Sequence, residues 1–143
     1  MDFQQIVYSS QPHPSLSLSE VDAIVDASRK WNAIRGITGR LLVVVDDADE
    51  LVAFMQWIEG PTLAIQACLK RIVADPRHRS VRIVQDALVA ERSYPEWSMA
   101  QEVIPPERVE RALASVGLEG RMGAGGDLVL DVDGEIVDGD DPA

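Results

Sequence analysis

LVAFMQWIEGPTLAIQACLKRIVADP (residues 51–76) is the stretch on which the fold turns. Its first eight side chains are apolar except Gln56, the pattern of a strand covered on both faces. Gly60-Pro61 then opens a helix, because a proline in the first turn gives up only an N–H that has no intrahelical partner. Ile65, Cys68, Leu69 and Ile72 recur at helical spacing, and Asp75-Pro76 ends the run. Upstream, residues 36–45 are also β-like and are separated from the first strand by the acidic turn DDADE (46–50), which makes the two an antiparallel hairpin.

The same reading extends in both directions. Residues 3–10 form a strand around Ile6, Val7 and Tyr8, followed by the loop-forming run SSQPHPS (9–15). Ser17-Leu18-Ser19-Glu20 fits a capping box, in which the serine hydroxyl accepts from the third helical amide and the glutamate returns a bond to the cap. The helix it starts carries Val21, Ile24 and Val25 on one stripe, which continues through Ser28, Trp31 and Asn32 to a terminator at Gly36. Downstream lie a strand over 81–90, a loop ERSYPE (91–96) and a fifth strand over 97–103. The order βαββαββ, with right-handed crossovers, places both helices on one face of a mixed sheet, an α+β ferredoxin-like layout. Pro105-Pro106 introduces a further helix over 107–116, with Val109, Ala112, Leu113 and Val116 on one side and Gly117 at its end; the uncovered sheet face is its natural partner. GAGG (123–126) reads as a flexible linker, and 128–137 as a small hairpin turning at Asp133-Gly134 or as disorder. The chain thus divides into residues 1–103, a helix segment 104–118, and an acidic, Gly-rich tail 119–143.

With 143 residues, 46% apolar and 26% charged, the chain has the make-up of one globular domain and excludes collagenous or wholly disordered classes. Its longest apolar stretches, 41–45 among them, fall far short of the ~18 residues that cross a bilayer. MDFQQIVYSS lacks the basic-then-apolar layout of a signal peptide, so the expected location is cytoplasmic, with no membrane partner. Cys68 alone, with His13 and His78, supplies neither a disulfide nor a zinc cluster, and no metal is expected. The net charge of −11 disfavours direct nucleic-acid binding; most of it lies from residue 119 onward, where eight acids face Arg121 alone. Lys70, Arg71, Arg77, Arg79 and Arg82, with His78, form a basic run opposed only by Asp75. Such a run can complement a helix C-terminus or hold an anion.

Tyr8, Gln56 and Asn32 interrupt the apolar pattern. A buried hydroxyl or amide without a partner costs ~1–3 kcal/mol, so each needs one. Taken singly, Gln56 can bond to backbone and Tyr8 can be an ordinary core tyrosine. Together, an inward Asn32 on the first helix and Tyr8 and Gln56 on the strands beneath flank a slot for an aromatic ring. The basic end of the second helix would then meet a phosphate, demands that a flavin nucleotide fits.

The blocks IVYSS (6–10), SRKWNAIRGITG (28–39), FMQWIEGP (54–61), RIVADPRH (71–78) and PEWSM (95–99) strongly resemble BLUF domains, blue-light sensors that use FAD. The resemblance spans roughly residues 3–103 and implies a flavin-binding domain there, with the isoalloxazine between the first two helices. It implies that Tyr8 is the photochemical tyrosine, Gln56 the switching glutamine, and Asn32 the asparagine at the flavin pyrimidine edge. Ile24, Ser28, Arg71, Asp75 and His78 complete the implied cofactor contacts, and Trp97, Ser98 and Met99 the signal relay. The expected function is that of a non-enzymatic photoreceptor. Light-driven electron and proton transfer from Tyr8 through Gln56 rearranges flavin hydrogen bonds and signals through the fifth strand and following helix. The recipient would be a downstream regulatory protein bound in a light-dependent way, and the receptor itself a homo-oligomer. The alternative is a flavin-free BLUF-like interaction module, kept open by Trp31, where many members carry a polar residue. The acidic turn 46–50 is also longer than is usual in the family. A ferredoxin-like hydrolase is a weaker rival, since residues 9–17 contain neither arginine nor glycine for a phosphate loop.

Overall fold

The computed structural model describes residues 2–130 apart from 97, 116 and 124. Its elements are β1 (Phe3–Pro12), α1 (Leu18–Ile34), β2 (Thr38–Val45), β3 (Leu51–Gly60), α2 (Thr62–Ala74), β4 (His78–Val89), β5 (Ala100–Ile104), a 3-10 turn (Pro106–Arg108), α3 (Val109–Ala114), β6 (Gly120–Met122) and β7 (Leu128–Leu130). The five-stranded sheet has the order β4-β1-β3-β2-β5. β1 is antiparallel to both β3 and β4, and β2 is antiparallel to β3 and parallel to β5. Each helix therefore crosses over an intervening antiparallel strand, and the shared handedness of the crossovers puts α1 and α2 on the same face.

Strand alternation sorts the side chains into two cores. Ile6, Leu41, Val43, Phe54 and Ile58 pack under Val21 and Val25 of α1 and Ile65 and Cys68 of α2. Val7, Leu42, Val44, Ala53, Met55 and Trp57 point the other way, against Val109, Ala112 and Leu113 of α3. α3 thus covers the face that α1 and α2 leave open. The capping box at Ser17 and Glu20 is present, with both reciprocal bonds made. Gly117, at φ +77°, ends α3 as a Schellman cap: its N–H donates to Ala114 O at 3.1 Å and that of Leu118 to Leu113 O at 3.0 Å.

Several boundaries differ from expectation: β1 runs on to Pro12 rather than residue 10, and β4 begins at His78 rather than 81 because the two pair along this extension. The fifth strand begins at Ala100 rather than 97, because the carbonyls of Ser98 and Met99 accept from side chains of α1 instead of joining the ladder with β2. α3 is shorter than 107–116: its first turn is 3-10 and carries no side-chain cap, so the α-helix starts only at Val109. The glycines expected to form a linker instead close a turn, Gly126 N–H donating to Gly123 O at 3.1 Å. It joins β6 to β7, and Met122, Leu128 and Leu130 are buried beside α3. Gly126 sits at φ +85°, and a Cβ there would collide with the Val52 carbonyl of β3. The hairpin expected at Asp133-Gly134 lies outside the described residues, as does Trp97. Among the described residues, no helix is long and apolar enough to cross a membrane.

Candidate functional site

Because β1 and β3 pair with Tyr8 opposite Gln56, the period of two that buries Ile6, Phe54 and Ile58 also turns this phenol and this amide toward the helices. Tyr8 and Gln56 are 3% and 9% exposed, and the Tyr8 hydroxyl donates to Gln56 Oε1. Gln56 Nε2 donates to Met99 Sδ at 3.2 Å, so the amide links the phenol to the segment ahead of β5. Burial pushes the Tyr8 phenol far above its usual range, with Cys68 and Asp75 adding to the effect. It is a neutral donor throughout the physiological range. Burial likewise raises the Cys68 thiol to about 11 against the pull of Arg71 and Arg35.

A cleft opens above this pair, between α1 and α2. Ile24, Ser28, Trp31 and Asn32 line it from α1, and Cys68, Arg71 and Ile72 from α2. Asn32 is 3% exposed and its Nδ2 donates to Ser98 O at 2.9 Å. Asp75 caps α2 at the cleft margin and is engaged by Arg77, whose Nε donates to it at 2.8 Å; these bonds hold the carboxyl below its ordinary range. The His78 ring packs edge-on against Tyr8, with centroids 6.3 Å apart. Its Nε2 contacts the Ile72 carbonyl, which can only accept, so that nitrogen carries a proton. In the neutral ring Nδ1 then accepts from Ser10 Oγ at 2.8 Å.

Tyr8, Gln56, Asn32, Ile24, Ser28, Arg71, Asp75, His78 and Met99 all line this one cleft. The basic run does not stay together. Arg71, Arg77 and His78 reach the cleft, whereas Arg82 lies under the β6–β7 hairpin, where its Nη1 donates to Leu128 O. Three participants escaped the sequence reading. Arg29 donates through Nε to Met99 O at 2.9 Å, Ser10 orients His78, and Arg35 joins Arg71 on the Trp31 ring, at 3.8 and 4.2 Å from its centroid. Ser10 was accessible from period two, since it shares a face with Tyr8; Arg29 and Arg35 act by the reach of long side chains, which no periodicity encodes.

The chemistry of the cleft suits a planar heteroaromatic ring. Val25, Phe54 and Ile72 offer apolar faces, two carboxamides and a phenol can meet hydrogen-bonding ring edges, and Arg71 and Arg77 stand near for an anionic extension. Comparison with known proteins agrees. The model of BLUF, sensors of blue-light using FAD, matches residues 3–100. The chain is 37% identical over 95 residues to photoactivated adenylate cyclase subunit beta of Euglena gracilis, and 36% to that of Euglena longa; these spans are 66% of this chain and 10% of either relative. Among solved structures, the dark state of BlrB, a BLUF protein, superposes with a TM-score of 0.63 at 30% identity, over 80% of each chain. Klebsiella pneumoniae BlrP1, solved with FMN and cyclic diGMP, gives 0.62 at 31% identity, over 71% of this chain and 26% of that one. The chain belongs to the BLUF family, flavin-binding sensors of blue light whose cofactor is FAD.

Proposed function

We propose that this chain converts blue light into a change in the hydrogen bonds of Gln56, and that the change leaves the cleft through Met99. Once bound and excited by blue light, the flavin supplies a strong one-electron oxidant. Tyr8 is placed to give up the electron, with its proton passing to Gln56 Oε1 along the bond already present. Return of the electron and proton restores the phenol, so no net oxidation remains. Gln56 would be left rotated or tautomerised, and the altered hydrogen bond it would then offer a bound ring would shift the absorbance to the red.

The observation that carries this reading is the chain of contacts Tyr8–Gln56–Met99 on the floor of the cleft. Rotation of the amide exchanges Oε1 and Nε2. A thioether sulfur cannot donate, so the oxygen that would then face Met99 finds no hydrogen there, and the contact is lost. Ile24, Ser28, Asn32, Arg71, Asp75 and His78 would hold the flavin, while Ser98 and Met99, whose carbonyls accept from Asn32 and Arg29, would carry the change into β5. Output is mechanical, delivered to an effector protein or domain; the relatives named above are cyclase subunits about ten times longer than the matched segment.

Light-minus-dark absorbance of the flavin-loaded protein tests the proposal, with a reversible red shift as the expected result. Tyr8→Phe should bind flavin and not shift. A normal shift in that variant removes Tyr8 from the mechanism.

A further inference from the structure

Three residues beyond Gln56, on the opposite face of β3 from the cleft, Glu59 is 0% exposed. A buried carboxyl is retained only where hydrogen bonds replace its hydration. Glu59 has two such bonds: Gln5 Nε2 donates to Oε2 at 3.1 Å, and the backbone N–H of Tyr94 donates to Oε1. The neighbours of Tyr94 are fastened at the same place. Gln5 Nε2 also donates to Ser93 Oγ at 3.3 Å, and Gln85 Nε2 holds Gln5 by donating to its Oε1 at 3.1 Å. Arg92 Nη1 donates to Thr38 Oγ1 at 2.9 Å and to the Glu59 carbonyl at 3.4 Å. The other end of the connection between β4 and β5 is fastened on the cleft side, where Asn32, Arg29 and Gln56 hold Ser98 and Met99.

We propose that Glu59 is a positioning residue for the light response: it fixes residues 92–94, so that loss of the Gln56–Met99 contact moves residues 98–99 and β5 instead of being absorbed as slack. The argument rests on the flavin-sensor reading above. Only three residues lie between Tyr94 and Ser98, and four Cα steps reach at most about 14 Å, so the fastening at 92–94 bounds how far residues 98–99 can travel. Without the Glu59 bond the Tyr94 backbone is held less firmly, although its ring still packs edge-on against Trp57 and Arg92 and Ser93 keep their own bonds, so more of the displacement is taken up ahead of β5. One strand would then supply both the switch, Gln56, and the fixed point against which it acts.

Glu59→Gln keeps the shape but substitutes an NH₂ for one of the two accepting oxygens. The test compares flavin-loaded wild type and Glu59→Gln by absorbance and by hydrogen exchange, in darkness and under blue light. The variant should keep the full red shift, since Gln56 and Tyr8 lie on the other face. The amides of Ser93, Tyr94 and Glu96 should exchange about tenfold faster in the dark, the value of one lost bond to a carboxylate. The light-minus-dark difference over residues 98–104 should fall at least to about half, because the released clamp opens more freely. Gln5→Met, which removes one of the two donors, should act in the same direction and serves if Glu59→Gln fails to fold. A red shift accompanied by wild-type exchange differences in both variants overturns the role of Glu59 alone. A wild type with no red shift overturns the sensor reading and this inference together.

Discussion

Tyr8 and Gln56 show how much one hydrogen bond is asked to do. The phenol is buried and its bond is directed at an amide oxygen, so it is lost as a donor only when deprotonated or replaced. Tyr8→Phe therefore leaves the cleft intact in shape, and flavin binding should survive while the light-induced shift disappears in difference spectra. Burial has a second consequence. The folded-state phenol titrates above its unfolded value of about 10, so Tyr8 favours the folded state below that pH. Stability should fall as pH rises beyond about 10, where the unfolded chain ionises first, and Tyr8→Phe should flatten that limb of a pH–denaturation series. These residues were legible in the sequence because a polar group inside an apolar run of known period has to face something. Trp31 was legible only as an anomaly. Its clasp by Arg35 and Arg71 depends on where two long side chains from different helices come to rest.

Elements with strong local signals were read correctly, and elements without them were not. α1 begins at a complete capping box, in which Glu20 also donates its acidic charge to the first turn. Ser17→Ala removes the side-chain acceptor for the Glu20 amide and should cost about 1 kcal/mol, visible as a lower denaturant midpoint at unchanged slope. An unchanged midpoint would show that tertiary packing alone holds the helix start. β6 and β7 have three residues each, too few for alternation to register, and their turn was read as a linker from its glycines. The positive φ of Gly126 and its approach to Val52 are what require glycine there, and neither is visible without β3 beside it. β5 was placed three residues early for a related reason: Ser98 and Met99 suit a strand by composition, but their carbonyls are taken by Asn32 and Arg29 across the cleft. Ser98 and Met99 therefore form a short irregular stretch tied to α1, which suits the relay role proposed for them better than a strand locked into the sheet would.

At the scale of the molecule, the sheet separates a sensing face from a covered one. Val25, Phe54 and Ile65 belong to the first, and Trp57, Leu113 and Leu128 to the second, and strand alternation keeps the two sets of side chains apart. From residues 98–99 the backbone runs forward through β5 into the 3-10 turn and α3. If displacement of Met99 follows that path, protease cleavage between residues 103 and 111 should differ between darkness and light, and identical cleavage would exclude it. The covering side can be weakened without touching the photochemistry. Leu128 is 1% exposed and packs in the α3-side core, so Leu128→Ala should lower stability by about 2–5 kcal/mol, in the usual range for a buried leucine whose cavity does not collapse. The red shift should keep its size, because Tyr8, Gln56 and the cleft lie across the sheet. Denaturation and difference spectra on the same variant decide the matter: a loss of stability with a full shift means that packing beneath α3 is energetically separate from the cleft, whereas a reduced shift would mean that it also sets the geometry of Gln56.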